Sequence, residues 1–146
     1  MVEVIVEIAA PPDVVWSVMV HVEKWPEWTA SMTRVELLED RPFGKGSRAR
    51  IKQPKLPAAT WRVTDFEAGK SFTWESNSPG ATMVAAHKVE PRDGGGSLVI
   101  LAVEPRGLLG GIVGQVGRAL IQRYVEMEAA GLKRRSESLA AAGAKR

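Results

Sequence analysis

The sequence predicts an α+β domain in which a curved, seven-stranded antiparallel sheet surrounds one long C-terminal helix, with two short helices after the first strand. Six segments of alternating apolar and polar residues follow one another between about residues 33 and 104. Residues 108–139 then place apolar side chains at spacings of three and four, the pattern of an amphipathic helix. An antiparallel sheet of this kind has one apolar face to cover, and only this helix is long enough to cover it. We therefore expect a helix-grip arrangement.

The first strand and the short helices are predicted from the N-terminal residues. Residues 2–8 (VEVIVEI) place four apolar side chains on one face and two glutamates on the other, as a half-buried edge strand does. The segment AAPPD ends this strand. A helix over Val14–Val20 follows, either capped by Asp13 or beginning at one of the two prolines before it. A second short helical segment, residues 23–28, has Pro26 in its first turn, where a missing N–H costs little.

The six later strands are bounded by segments rich in glycine, proline, asparagine and aspartate, the residues that chain reversals use. EAGK, for example, is a short hairpin connection in which Gly69 can take a positive φ. The predicted strands are TRVELLED, SRARIKQ, TWRVTDF, SFTWES, TMVAAHKVE and SLVILAVE.

The long helix has a predicted inner stripe and a predicted outer face. The inner stripe is Leu109, Val113, Val116, Leu120, Tyr124 and Met127. The outer face is Gln115, Arg118, Gln122 and Glu126. We expect a single domain over residues 1–139, followed by a basic flexible tail over residues 140–146.

Composition excludes several kinds of site. The chain of 146 residues has no cysteine, so disulfides, thiolate metal sites and a cysteine nucleophile are excluded. Two histidines without cysteine give no convincing metal site. The sequence contains neither a phosphate-binding loop, nor a dinucleotide fingerprint, nor a nucleophile elbow. We expect no metal and no cofactor.

Charge and hydropathy bear on partners and location. Residues 131–146 carry five basic side chains and one acidic side chain, Glu137, a net charge of +4. Since the formal net charge of the whole chain is +3, residues 1–130 carry a net charge of −1. A neutral body with a basic tail is not typical of a nucleic-acid reader, and we expect no nucleic-acid partner. The acidic N-terminal segment and the lack of an apolar run of about 18 residues predict a cytoplasmic protein without stable membrane insertion.

Four segments carry a resemblance to a known family: IAAPPDVVWSVMVHVEKWPEW, GKGSRARI, TWRVTDFEAGKSFTWES and YVEMEAAGLKRR. Together they resemble bacterial polyketide cyclase/dehydrase-like proteins of the SRPBCC superfamily, which shares the START and birch-pollen-allergen fold. The resemblance covers nearly the whole chain. It implies a deep apolar cavity between the concave face of the sheet and the long helix. It implies no single function, since such proteins include ligand carriers, aromatase/cyclases and interaction modules.

Strand alternation predicts which side chains would form the wall of such a cavity. The sheet would contribute Ile51, Trp61, Val63, Phe72, Trp74, Met83, Ala85 and His87. The helix would contribute Val113, Gly114, Gly117, Leu120 and Tyr124. These are the predicted ligand-binding residues, although any one of them could equally be ordinary core.

Two further sets of residues have alternative interpretations. Trp16, Trp25 and Trp28 are interpreted mainly as a structural seam, because a buried indole contributes several kcal/mol of apolar burial. Gly110, Gly114 and Gly117 lie on one flank of the long helix, where each costs about 1 kcal/mol relative to alanine. These glycines either leave room for a ligand and let the segment move as a lid, or allow close backbone packing.

His87 and Tyr124 are the candidate catalytic residues, with Asp65 and Glu104 behind them. A histidine can act as a general base near neutral pH or hydrogen-bond a ligand carbonyl. The leading hypothesis is binding of an apolar or aromatic small molecule or lipid for transport, sequestration or sensing. The alternatives are a polyketide cyclase, aromatase or dehydratase using His87 and Tyr124 for proton transfer, and a protein-interaction module without ligand. The chain is expected to be a monomer or a homodimer.

Overall fold

The computed structural model describes residues 1–144, except for the side chains of Val113, Gly114 and Ala144. In chain order the elements are β1 (Val2–Ile8), α1 (Pro12–Val20), a 3₁₀ helix (Val22–Glu27), β2 (Arg34–Leu37), β3 (Arg48–Lys52), β4 (Ala59–Glu67), β5 (Ser71–Ser78), β6 (Ala81–Pro91), β7 (Ser97–Arg106) and α2 (Gly110–Ala144). The predicted α+β helix-grip class is confirmed.

The seven strands form one antiparallel sheet in the order β1-β7-β6-β5-β4-β3-β2. Each strand from β2 to β7 pairs with its neighbour in sequence, while β1 joins β7 at one edge, as predicted. The register sets Trp74 of β5 opposite Ala85 of β6, and Phe72 opposite His87. These four side chains therefore share the apolar, concave face of the sheet.

A β-bulge in β4 changes which side chains face inward. Val63 pairs with Trp74, but the next pair is Asp65 with Thr73, so Thr64 is the extra residue. A bulge shifts the alternation by one position. Beyond it Phe66 turns toward the core and Asp65 is exposed. Strict alternation along β4 predicts that Asp65 shares the inward face of Trp61, and the bulge makes this prediction wrong.

The two short helices lie where the sequence predicts them. Helix α1 begins at Pro12 without a side-chain cap, so the proline alternative is the correct one and Asp13 lies within its first turn. The second segment is a 3₁₀ helix with Pro26 inside it. It buries Trp25, whose indole Nε1–H donates to the Met19 carbonyl oxygen at 3.0 Å. This bond satisfies the one polar group of the buried indole.

Helix α2 differs from the prediction in its inner face and in its C-terminal end. Val116, assigned to the inner stripe, is 83% exposed. The buried row comprises Tyr124, Val125, Glu128, Ala129, Gly131, Leu132 and Ser136. The helix continues to Ala144, so residues 140–144 of the predicted flexible tail are helical, whereas Lys145 and Arg146 lie outside the described residues. The division of the chain at residue 139 stays a prediction.

In the part of the chain that the structure describes, neither helix combines the length and the apolar character needed to cross a membrane.

The second half of α2 is fixed to the rest of the domain by several contacts. A Cβ at Gly131 would overlap the carbonyl oxygen of Trp28, so helix and 3₁₀ segment meet at backbone distance. Glu137 accepts a hydrogen bond from the Ala9 backbone N–H at 2.8 Å, and Lys133 donates to the Glu7 carbonyl oxygen at 2.9 Å. These bonds connect the helix to the end of β1.

The pKa of Glu137 makes its contact testable by pH. The hydrogen bond from Ala9 and then that from Lys133 hold the pKa of this carboxyl below its ordinary value of 4.5. A lowered pKa in the folded state stabilises the fold above the ordinary pKa, and this contribution disappears as pH falls through the lowered pKa. Glu137→Gln is expected to lower the free energy of unfolding by about 1 kcal/mol at pH 7, with the difference vanishing in acid.

Urea denaturation of both proteins at a series of pH values measures this difference. Glu126→Gln, on the outer face of the same helix, is the matched control and should show no such pH-dependent loss. An unchanged Glu137→Gln deficit down to the acid limit of folding would show that the carboxylate charge is not what fixes the helix.

Candidate functional site

An apolar cavity of about 230 Å³ lies between the concave face of the sheet and the middle of α2. The sheet and the loops beside it contribute Met32, Ile51, Gln53, Leu56, Trp61, Trp74, Met83, Ala85, His87 and Val103. The helices contribute Trp25, Gly117, Leu120, Ile121, Tyr124, Val125 and Glu128. An enclosed, mostly apolar hollow with a few polar groups is the usual form of a small-molecule site.

Most of the predicted wall surrounds this cavity. The predicted residues found in its lining are Ile51, Trp61, Trp74, Met83, Ala85, His87, Gly117, Leu120 and Tyr124. Val63 and Phe72 are fully buried and lie outside the lining, which corrects the predicted wall at these positions. The side chains of Val113 and Gly114 lie outside the described residues.

Val63 and Phe72 are outside the lining because the aromatic core occupies this half of the concave face. Phe72 contacts the rings of Trp16, Trp25 and Phe43, with ring centroids 5.1–6.4 Å apart. Alternation along a strand identifies the inward side chains, but it does not tell whether a helix or an empty space faces them. The hollow is confined to the half of the sheet under α2.

The polar end of the cavity is a buried pair, His87 and Glu128. The His87 Nε2 lies 3.3 Å from Oε1 of Glu128, and its Nδ1 lies 3.2 Å from the Phe72 carbonyl oxygen. Because a carbonyl oxygen only accepts, Nδ1 carries a hydrogen. The other ring nitrogen, Nε2, faces the Glu128 carboxyl at ion-pair distance.

Aromatic rings hold the imidazole in place. The ring of Phe72 stacks on His87 at a centroid distance of 4.2 Å and an interplanar angle of 12°. Trp25 and Trp74 contact it at 5.5 and 5.8 Å. With Nδ1 hydrogen-bonded to Phe72 and three aromatic neighbours around the ring, the imidazole is held in one orientation before any ligand arrives.

Glu128 is the ionisable residue among several lining residues that the sequence analysis did not assign to the site. The inner stripe was chosen from apolar residues alone, and a glutamate in a helix is usually on the solvent side. Its spacing carried the signal: Glu128 lies four residues after Tyr124 and four before Leu132, both buried. A helical wheel centred on Tyr124 and Leu132 puts the Glu128 carboxylate on the side of the helix that faces the sheet.

The other polar candidates occupy different places. The Tyr124 side chain lines the cavity, but its hydroxyl donates to the Pro54 carbonyl oxygen in the β3–β4 loop. Glu104 is partly exposed and pairs with Arg106, outside the lining. Asp65 is exposed on the convex side. Glu128 thus takes the place behind His87 that Asp65 and Glu104 were predicted to fill.

A second depression, of about 480 Å³, lies beside α1 and opens more widely to solvent. Its walls mix Trp16, Phe43 and Phe66 with the charged side chains of Glu23 and Lys24. A ligand there would stay largely hydrated, so the smaller, enclosed cavity is the candidate site. Within the described residues, no three His, Cys, Asp or Glu side chains gather in a way that could hold a metal ion.

The family described as polyketide cyclase / dehydrase and lipid transport matches residues 1–137 of this sequence. The chain belongs to this family. The predicted resemblance is thereby confirmed. A search of curated proteins gives no match.

Solved structures of low sequence identity share the fold. The Thermus thermophilus protein TTHA0849 is 18% identical with a TM-score of 0.75, and the match covers 95% of this chain and 98% of that one. The di-domain ARO/CYC StfQ from the steffimycin biosynthetic pathway is 17% identical with a TM-score of 0.70, covering 94% of this chain and 44% of that one. The di-domain ARO/CYC BexL from the BE-7585A biosynthetic pathway is 22% identical with a TM-score of 0.72, covering 92% and 45%.

The glycines of this family member's α2 serve two different purposes. A Cβ at Gly117 would meet only the Ile121 Cδ1, at 3.8 Å, so this glycine leaves open space on the cavity side. A Cβ at Gly110 would lie 3.2 Å from the Pro105 carbonyl carbon, a close backbone contact. Gly131, which the sequence analysis did not single out, is in the tightest contact of the three. The sequence left open whether the glycines provide room for a ligand or allow close packing. In the structure, each interpretation applies to different glycines.

Two alanine substitutions are therefore expected to have opposite effects. Gly117→Ala should raise the free energy of unfolding by up to about 1 kcal/mol, because it gains helix propensity without a clash. Gly131→Ala should lower it by about 3 kcal/mol or more, because backbone must move to admit the methyl group. Thermal and urea denaturation measure both values. If Gly131→Ala is as stable as wild type, the helix does not meet the 3₁₀ segment at backbone distance.

Proposed function

We propose that the protein binds a small apolar or aromatic molecule in the cavity under α2. The observation that carries this proposal is the unfilled volume of about 230 Å³ among Trp61, Trp74 and Met83. Cores are normally packed without voids larger than a water molecule, and an empty apolar volume costs stability. A hollow of this size therefore destabilises the fold, and a bound ligand would offset that cost.

The volume limits the size of the ligand. An apolar cavity of about 150 Å³ holds benzene, and sites for drug-sized ligands begin at about 300 Å³. A cavity of about 230 Å³ suits a one- or two-ring compound of mostly apolar surface. The indole rings of Trp61 and Trp74, 6.1 Å apart at the wall, offer faces against which such rings can pack.

The first turns of α2 are the part of the protein best suited to admit a ligand. Leu108 is 97% exposed and Ile112 is 62% exposed, so this segment buries little apolar surface. Segments with few buried apolar contacts open at low free-energy cost. The adjoining Gly117 reaches the cavity itself. These features support the interpretation of the glycine-rich segment as a lid.

A side chain that fills the cavity should abolish binding without unfolding the protein. Gly117→Leu places four carbon atoms in the cavity, where a Cβ alone meets no close contact. We expect at least tenfold weaker binding of a bicyclic aromatic such as naphthalene, measured by isothermal titration calorimetry. Gly111→Leu is the matched control, since Gly111 is exposed and has open space around it.

Both variants exchange glycine for leucine in the same helix, so they share the gain in helix propensity. Equal affinity of Gly117→Leu and wild type would place the ligand elsewhere. Absence of binding to wild type across a panel of one- and two-ring compounds and lipids would overturn the proposed function.

A second candidate function is a cyclase, aromatase or dehydratase that moves protons through His87 and Tyr124. It is favoured by the buried His87–Glu128 pair, which can take and return a proton at the cavity wall. His87→Ala should then lower turnover of an accepted poly-β-ketone by about 10²-fold or more. Tyr124→Phe should lower it less, because the hydroxyl is bonded to Pro54. Unchanged turnover in both variants would remove these residues from any catalytic role.

The remaining predictions on partners stay proposals. A ligand-free interaction module would be supported by a cavity filled by its own wall, whereas the volume here is open. The basic side chains of the convex face alternate with acidic partners, as in Arg48 with Glu39 and Arg34 with Glu36. This mixture supports the absence of a nucleic-acid partner. We infer a cytoplasmic monomer or homodimer that binds a hydrophobic small molecule or lipid.

A further inference from the structure

We propose that Glu128 makes the cavity selective for neutral ring compounds that carry a hydroxyl group, over the bare hydrocarbon and over carboxylates. This inference rests on the proposed binding function and names the class of ligand for the same site. It follows from the hydrogen-bonding capacity left over at the polar end of the cavity.

The spare acceptor is the second oxygen of Glu128. Oε1 lies 3.3 Å from Nε2 of His87, and Oε2 is not part of that contact and is free to accept from a ligand. The side chain is 11% exposed and belongs to the cavity lining, so the exposed oxygen faces the ligand space. A carboxylate oxygen has up to two lone-pair sites and accepts hydrogen bonds only, when ionised.

Three of the other polar side chains of the lining already make hydrogen bonds. The Tyr124 hydroxyl donates to the Pro54 carbonyl oxygen, Nδ1 of His87 to that of Phe72, and the Gln53 amide to that of Ser31 at 3.3 Å. Gln53 keeps a free amide oxygen, but a neutral acceptor makes a weaker hydrogen bond than a carboxylate. Among the hydrogen-bond acceptors of the lining, Glu128 therefore has the strongest unmet demand for a donor.

A bare hydrocarbon cannot meet this demand. When it displaces water from the cavity, Oε2 loses its hydrogen-bond partners without replacement, and an unsatisfied buried acceptor is costly. A hydroxyl on the same ring restores the bond. The aromatic rings around the imidazole fix the pair, so this hydrogen bond forms without reorganising the wall.

A carboxylate ligand meets the opposite obstacle. The lining of the cavity contains neither lysine nor arginine among the described residues. The carboxyl of Glu128 belongs to the lining and would itself face the incoming anion. A buried anion without a compensating cation is strongly disfavoured.

The test compares three probes with the same two-ring skeleton: 2-naphthol, naphthalene and 2-naphthoate. Isothermal titration calorimetry at pH 7, with the full chain injected into each probe, gives the dissociation constants. Wild type is expected to bind 2-naphthol about tenfold more tightly than naphthalene, as one hydrogen bond to a charged acceptor allows. It should bind 2-naphthoate about tenfold more weakly than 2-naphthol, or worse.

Variants assign the preference to the pair. The double variant His87→Phe, Glu128→Leu removes both polar groups with similar volume, a replacement that buried ion pairs often tolerate. It should keep or improve its affinity for naphthalene and lose the preference for 2-naphthol. Glu128→Gln, which keeps an acceptor oxygen, should retain part of the preference. Glu126→Leu makes the same exchange on the exposed face and should behave as wild type.

The outcomes distinguish failure of the proposed selectivity from failure of the proposed binding function. If naphthalene binds and 2-naphthol binds no better, or if 2-naphthoate binds as tightly as 2-naphthol, the selectivity is overturned while the binding function stands. The same holds if the double variant keeps the full preference. If none of the three probes binds wild type, both the function for ligands of this size and the selectivity are overturned.

Discussion

The close backbone contact between Gly131 of α2 and Trp28 of the 3₁₀ segment is the constraint on which the cavity depends. It sets the height of the helix above the sheet at one point, and the bonds of Lys133 and Glu137 to β1 set its direction. A helix is stiff over this length, so fixing its second half also fixes the line along which its first half projects. Above Trp61 and Trp74, the first half of α2 is too far from the sheet for side chains to fill the space between helix and sheet. Gly117 has no side chain to place in that space.

In the proposed binding function, the buried pair at the end of the hollow would contribute more to specificity than to stability. Taking a carboxylate out of water costs several kcal/mol, and one ion-pair contact rarely returns more than that. His87 and Glu128 could be replaced by apolar residues of similar size with no loss of packing. What the pair adds is a fixed polar direction in an otherwise apolar hollow, held by Phe72 on one side and by two indoles on the others.

The sequence predicted the architecture well because the relevant signals are local. Alternation along each strand, turn residues between them and one long helical period are sufficient to order the elements and to place Trp61, Trp74 and His87 on one face. The errors arise where one extra residue or a tertiary contact overrides the pattern. The bulge at Thr64 moved Asp65 outward, and the contact at Gly131 rotated the helix so that Val116 faces solvent and Glu128 faces the sheet. Neither can be read from the spacing of apolar residues alone.

Binding and catalysis place the same demands on this site up to a single step. Closure and dehydration of a poly-β-ketone produce a ring that carries hydroxyl groups, the class of compound that a free acceptor at Glu128 favours. In the proposed catalytic function, an acceptor that holds such a hydroxyl would also be placed to take up a proton while the ring forms. The volume of about 230 Å³ admits one or two rings. A longer chain would require the first turns of α2 to move, so the proposed catalysis on long substrates would demand more of this segment than the proposed binding of a finished ring.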